Sequence, residues 1–239
     1  MPDNYEQLAD RYQASDLKPD KRFSILPTVL VMAGDSHGKT VLDLGCGSGF
    51  FTRAFATAGA KHVIGLDSSV RQIEIARKIA SSPTIEYRVA DVFQDSLPPA
   101  NIICCPFLLN QFSSVTVLAT FLTKLHATLP DHGRVLFVVD FPTARDLKSY
   151  GARKILHGEP KDATPMTTEL YAASAELICE LHVFYFTPDT IEDELRRAGF
   201  LHVTGEQPIV SSEGQTAFDQ AYWQAYLEDT QLGYYTATA

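Results

Sequence analysis

The sequence predicts an α/β protein built on an open, mostly parallel sheet with helices on both faces. Three observations predict it. Short, near-continuous apolar runs alternate with stretches of helical apolar spacing from Thr40 to Phe141. The connections between them are short, as they are when strand and helix alternate in a covered parallel sheet. A glycine-rich turn, Gly45-Cys46-Gly47-Ser48-Gly49, stands where the first apolar run gives way to a helical pattern.

Each element follows in order. Residues 4–14 read as an amphipathic helix with Tyr5, Leu8, Ala9 and Tyr12 on one face, and a second helix covers about 23–32. TVLDLG is an apolar strand. SGFFTRAFATAGA then carries Phe51, Ala54, Phe55 and Ala58 at helical spacing, with Gly59 as its stop. HVIGLD is the next strand, and Ser68 or Ser69 caps a helix running to about Ala80. TIEYRVADV is a third strand, NIICCP a fourth, VTVLATFLTKLHATL a helix and RVLFVVDF a fifth strand. Regularity lapses across 142–175, where ARDLKSYGARKIL carries a helical pattern and HGEPKDATP reads as loop; long insertions of this sort often serve function. ELHVFYF reads as a strand, TPDTIEDELRRAGF as a helix with Thr187 as N-cap and Pro188 at its first position, and LHVTGEQPIV as a last strand closing the sheet in an antiparallel hairpin. The expected organisation is one domain over 1–239, with an N-terminal helical cap at 1–38, a core at 39–210, an insertion at 142–175 and a C-terminal segment at 211–239.

Of the 239 residues, 45% are hydrophobic and 21% charged, enough to bury a sizeable core. A formal net charge of -9 gives no electrostatic reason to attract a phosphate backbone, so no nucleic-acid partner is expected. The four cysteines show no zinc-ligand spacing and no disulfide framework, which fits a reducing, cytoplasmic compartment and no metal site. The first residues are polar and acidic, and no run approaches the roughly 18 apolar residues that span a bilayer, so no membrane association is expected.

Backbone N–H groups at a strand-to-helix turn, with glycines that permit close approach, can hold a polar ligand. The dinucleotide fingerprint G-x-G-x-x-G needs a glycine where Phe50 stands, which weakens a nicotinamide-cofactor reading. Asp67 ends the second strand about 20 residues after the glycines, where a carboxylate can accept both hydroxyls of a ribose. Asp91 ends the third strand. Ligands of open α/β sheets sit beyond the carboxyl ends of the strands, so the loop and both acids converge on one crevice.

VLDLGCGSGFFTRAF, VIGLDSS, EYRVADV and HGRVLFVVDF resemble the successive motifs of class I S-adenosylmethionine-dependent methyltransferases over about residues 40–210. That resemblance implies a Rossmann-like, seven-stranded sheet with a reversed final hairpin. It implies S-adenosyl-L-methionine as cofactor and S-adenosyl-L-homocysteine as product. Gly45, Gly47 and Gly49 would lie against the methionine part, with Asp43 supporting its amino group through the loop; Asp67 would hold the ribose, and Asp91 with the Val92 backbone would read the adenine. Tyr12, Cys46, Ser68, Pro106 and Phe107 complete the implied cofactor set. The flanks, YEQLADRYQ with Arg22 and YWQAYLEDTQLGY, resemble toxoflavin-synthase-type methyltransferases, which methylate compact nitrogen heterocycles.

Methyl transfer asks above all for a nucleophile held in line and shielded from water, so proximity is the expected mechanism and no catalytic base is assigned. Cys104-Cys105-Pro106-Phe107 follows the fourth strand, where amino-methylating nucleic-acid enzymes carry Asn/Asp-Pro-Pro-aromatic; Cys104 stands in place of the polar residue. Cys105 precedes rather than follows the proline, which is the wrong order for cytosine-C5 chemistry. Candidate acceptor contacts are Tyr5, Tyr12, Phe107, Asn110, Gln111, Asp140, Phe141, Tyr222 and Trp223, rings and amides suited to a flat polar heterocycle. The expected function is methyl transfer to N or O of a small molecule. The alternatives are a protein or RNA methyltransferase, or a cofactor-binding regulatory protein without turnover.

Overall fold

The computed structural model describes residues 5–80, 82–143, 145–172 and 174–239; the side chain of Tyr5, one of the candidate acceptor contacts, lies outside that description. Helix α1 (Tyr5–Tyr12) continues through a tight turn over Gln13–Leu17, and a wide turn over Lys21–Ile25 leads into α2 (Leu26–Ala33). The core then runs β1 (Thr40–Leu44), α3 (Phe50–Thr57), β2 (His62–Asp67), α4 (Val70–Ile79), β3 (Ile85–Val89), β4 (Ile102–Pro106), α5 (Val115–Thr128) and β5 (Arg134–Asp140). Beyond it come β6 (Ala152–Leu156), β7 (Thr164–Tyr171), β8 (Leu177–Tyr185), α6 (Pro188–Arg197), β9 (Leu201–Glu206), α7 (Ser212–Ala217), α8 (Gln220–Glu228) and β10 (Leu232–Thr238).

The main sheet has seven strands in the order β3-β2-β1-β4-β5-β10-β9. The first five are parallel, whereas β10 runs antiparallel to both β5 and β9. Alternation divides each central strand between two cores. Leu42, Leu44, Ile103 and Cys105 face a core completed by α5 and α6, while Val41, Ile102 and Cys104 face one completed by α2 and α3. Local chemistry starts the helices as expected: the Ser69 hydroxyl accepts from Gln72 N–H at 3.1 Å, and the Thr187 hydroxyl accepts from Thr190 N–H at 3.2 Å ahead of Pro188.

Two stretches differ from the expectation. ARDLKSYGARKIL is not a helix: a short turn over Lys148–Tyr150 ends at Gly151, whose φ of +96° is left-handed, and β6 begins at once. Strands β6, β7 and β8 form a separate three-stranded antiparallel sheet, so ELHVFYF pairs with β7 and takes no part in the main sheet. The closing hairpin is instead β9 with β10, so the last strand is not LHVTGEQPIV but β10, from the C-terminal segment beyond residue 210. Its Tyr234, Tyr235 and Ala237 are buried between β5 and β9, and β5 pairs with it along its whole length from Leu232 to Thr238. No helix among the described residues is long and apolar enough to cross a membrane.

Candidate active site

The carboxyl ends of β1, β2, β3, β4 and β5 open into a cavity of about 430 Å³. The small sheet roofs it through Ala152, Lys154, Thr168, Leu170, Leu181 and Val183, and α1 with the following turn closes its side through Tyr12 and Ser15. Leu8 and Tyr12 pack against the core of that small sheet, which ties the roof to the side wall.

One end of the cavity is made by the glycine loop and the strand-end acids. Asp67 accepts from Gly47 N–H through Oδ2 and from Ser69 N–H through Oδ1, both at 2.9 Å. These bonds lock loop and carboxylate together, while burial pushes the Asp67 carboxyl above the ordinary range. Asp91 accepts from Phe93 N–H and the Gln94 amide at 2.9 Å, which fixes it in the turn after β3. Gly45, Gly47, Asp67, Ser68, Asp91, Val92, Pro106 and Phe107 all line the cavity. Phe107 has φ of +62° and donates its N–H to the Val138 carbonyl at 2.7 Å, a strained backbone held where the chain leaves β4.

Three residues of the implied cofactor set stand behind this wall. Asp43 is 1% exposed and accepts from the Thr52 hydroxyl at 2.6 Å; burial raises it to about 6. Cys46 packs against Ile73, Ala76 and Tyr87, and Gly49 caps α3. A Cβ at Gly49, where φ is +82°, would lie 2.2 Å from the Tyr87 hydroxyl, so glycine is required there by both backbone and space.

These residues fit an S-adenosyl cofactor on one observation that the sequence did not suggest. Gln72, in α4, is 1% exposed and lines the cavity, yet both polar atoms of its side chain lack a hydrogen-bond partner. A Cβ on Gly47 would sit at 3.8 Å from Gln72 and 3.9 Å from Tyr12, so the glycine opens a slot between an orphaned amide and an aromatic ring. A buried amide left unpaired is costly, and a ligand carrying both donors and acceptors would satisfy it.

The other end holds charged side chains that sequence reasoning missed. Lys154 on β6 donates to Asp140 Oδ1 at 2.6 Å and to the Gln231 carbonyl at 2.7 Å. The Thr168 hydroxyl donates to Asp140 Oδ2 at 3.1 Å. Lys18 pairs with Asp20 at 3.4 Å. Lys21 stands instead beside the glycine loop: it pairs with Asp16 at 2.6 Å beneath the Phe50 ring, and Asp16 also accepts from the Ser48 hydroxyl at 2.6 Å. The signal for Lys154 was the alternation of buried Ala152 and Lys154 about exposed Arg153, which a helical reading of that stretch hides. For Lys18, Asp20 and Lys21 nothing local in the sequence shows what covers them.

Of the candidate acceptor contacts, Tyr12, Phe107, Gln111 and Asp140 line the cavity. Asn110 does not: its amide donates to the Asp140 and Phe184 carbonyls and accepts from Asp140 N–H, stapling β5 to β8. Phe141 packs edge-on to Tyr185 and Tyr235. Tyr222 and Trp223 belong to a separate cluster with Leu147, Tyr150 and Tyr226, where the Trp223 indole donates to the Gly214 carbonyl at 2.8 Å. Cys104 and Cys105 are fully buried, and burial pushes both thiols well above the ordinary value.

A family described as "Methyltransferase domain" matches residues 14–204. The N-demethylindolmycin N-methyltransferase of Streptomyces griseus is 30% identical over 184 residues, 74% of this chain and 76% of that one. The malonyl-[acyl-carrier protein] O-methyltransferase of Serratia marcescens is 30% identical over 219 residues, 87% of this chain and 83% of that one. Among solved structures, an S-adenosylmethionine-dependent methyltransferase from Mesorhizobium loti shares the fold with a TM-score of 0.66 at 20% identity, covering 94% of this chain and 100% of that one. With glycine loop, Asp67 and Asp91 at successive strand ends and the family matched over most of its length, the chain belongs to the class I S-adenosylmethionine-dependent methyltransferases and uses S-adenosylmethionine as its cofactor.

Proposed function

We propose that the chain methylates a nitrogen or oxygen of a compact small molecule, held in the charged end of the cavity. The observation that carries this reading is the roof. A polymer substrate asks for an open groove across the strand ends, whereas here β6, β7 and β8 cover that space and α1 closes its side. A cavity of about 430 Å³ is of the size that small ligands occupy.

The cofactor supplies an electrophilic methyl carbon on a sulfonium sulfur. The protein's part is binding, orientation and exclusion of water. On this reading Gly45, Gly47 and Gln72 hold the amino-acid portion, Asp67 the ribose hydroxyls, and Asp91 with Val92 the adenine edge. Phe107, Gln111 and the roof residues Leu181 and Val183 wall the acceptor. Cys104 and Cys105 act as packing, since a thiol without access to the cavity and with a raised pKa is not a nucleophile.

Calorimetry with S-adenosylhomocysteine tests the cofactor half, and incubation of a cell extract with deuteromethyl-labelled S-adenosylmethionine tests the acceptor half. The expected result is tight binding of S-adenosylhomocysteine, no comparable binding of NAD, and label in the low-molecular-mass fraction. Label confined to protein or RNA would overturn the small-molecule reading.

A further inference from the structure

We propose that the Asp140–Lys154 pair selects an uncharged acceptor whose reacting N–H or O–H lies beside a carbonyl oxygen, as on the edge of a lactam or an enolised dicarbonyl. The inference rests on the small-molecule reading and names the substrate class for that same site.

An ammonium has three N–H donors. Among the described residues Lys154 spends one on Asp140 Oδ1 and one on the Gln231 carbonyl, which leaves one. An ionised carboxylate can accept about four hydrogen bonds. Among the described residues Asp140 accepts one from Lys154 and one from Thr168, which leaves capacity on the same carboxylate. The two side chains are only 3% and 8% exposed, yet both line the cavity, so a ligand there can reach them while bulk water is largely excluded. The site therefore presents a donor beside an acceptor.

Charge then decides among ligands. An anion would meet Lys154 but also Asp140, and a cation the reverse. The neighbouring charges do not tip the balance, because Lys18 is paired with Asp20 and Lys21 with Asp16. A neutral edge with its own donor and acceptor satisfies both groups at once. Ile25, Leu170, Leu181, Val183 and Leu232 line the same cavity and suit a flat apolar body behind that edge. Burial lowers the Lys154 pKa, which makes its remaining N–H a stronger donor to a carbonyl. The reacting atom would stand on Asp140, at the end of β5 next to the Phe107–Gln111 stretch.

The test uses full-length protein saturated with S-adenosylhomocysteine and three probes: 2-pyridone, which carries the lactam edge; 1-methyl-2-pyridone, which lacks the donor; and benzoate, an anion of similar size. We expect 2-pyridone to bind at least about tenfold more tightly than either of the others, since a site built around a hydrogen bond rejects the analogue lacking it. Asp140→Asn and Lys154→Met should each erase that preference while leaving S-adenosylhomocysteine affinity within about threefold, since the cofactor contacts lie at the other end. The double variant keeps the charge balance and serves where a single variant fails to fold. Equal or tighter binding of 1-methyl-2-pyridone or benzoate, no binding of 2-pyridone to the loaded protein, or a preference surviving in the variants overturns the inference. Failure of S-adenosylhomocysteine itself to bind would instead strike the methyltransferase reading.

Discussion

At the scale of single residues, the cofactor end concentrates groups whose burial has measurable consequences. Asp67→Ala should weaken S-adenosylhomocysteine binding by roughly 1.5–3 kcal/mol, the worth of hydrogen bonds to a charged acceptor. Calorimetry on the folded variant checks this, and unchanged affinity would remove Asp67 from the site. Asp43 makes a prediction about pH. Burial raises its carboxyl from 3.8 to about 6 against the opposing hydrogen bond from Thr52. A group whose folded value lies above its unfolded one holds its proton more tightly when folded. Its contribution to stability is complete below the unfolded value and is lost as pH rises through about 6. Asp43→Asn cannot ionise, so its stability relative to wild type should rise by on the order of 3 kcal/mol between about pH 4 and pH 7. Denaturant unfolding of both proteins across that range, without cofactor, gives the answer; a pH-independent difference would refute the buried, protonated Asp43.

At the scale of elements, α1 is fastened at its outer side by charge and at its inner side by packing. The Glu6 carboxylate accepts from the Ser69 hydroxyl at 2.7 Å and from Arg71 N–H at 3.1 Å, so it sits on the N-terminus of α4. Arg71 also pairs with Asp10 at 2.7 Å. Exposed pairs of this kind contribute at most about 1 kcal/mol each, so the double variant Glu6→Ala/Arg71→Ala, which removes both the Glu6 bonds and the Asp10 pair, should barely change global stability. It should nevertheless free a helix whose inner face meets the roof through Leu8 and Tyr12. Faster amide exchange over residues 5–17, with β1 to β5 unchanged, is the expected signature. Exchange unaltered in α1 would mean that packing alone holds it.

At the scale of the whole molecule, the order of strands makes the end of the chain part of the centre. β10 lies between β5 and β9, so removing residues 230–239 would expose a strand edge on β5 and detach β9. The truncated chain should fail to give a cooperative unfolding transition, whereas removing residues 1–14 should leave one, because α1 pairs with no strand of the main sheet. The cysteines report on the same core. All four are buried, and burial pushes Cys46, Cys104 and Cys105 well above the ordinary thiol value. Thiol reagents should label the native protein only as fast as it opens, with rates that track unfolding followed by circular dichroism.

The sequence by itself determined the parts whose cause is local. Apolar runs and helical spacing set β1 to β5 and their helices; Ser69 and Thr187 cap with their own hydroxyls; Gly45, Gly47, Asp67 and Asp91 stand at the ends of their strands, where they line the cavity. Tertiary structure alone decided what depends on a distant partner. Alternation in ELHVFYF says that the strand has a buried face, but not which strand it lies against, and YYTAT, buried along nearly its whole length, carries no alternation to mark it; so the roof and the closing hairpin exchanged places. Tyr222 and Trp223 have aromatic character suited to a ligand and spend it on packing with Tyr150 and Tyr226. Lys154 shows the reason most directly: a lysine is a surface residue by composition, and only a carboxylate 14 positions upstream in the chain, brought to 2.6 Å by the small sheet folding over the main one, makes its burial tolerable.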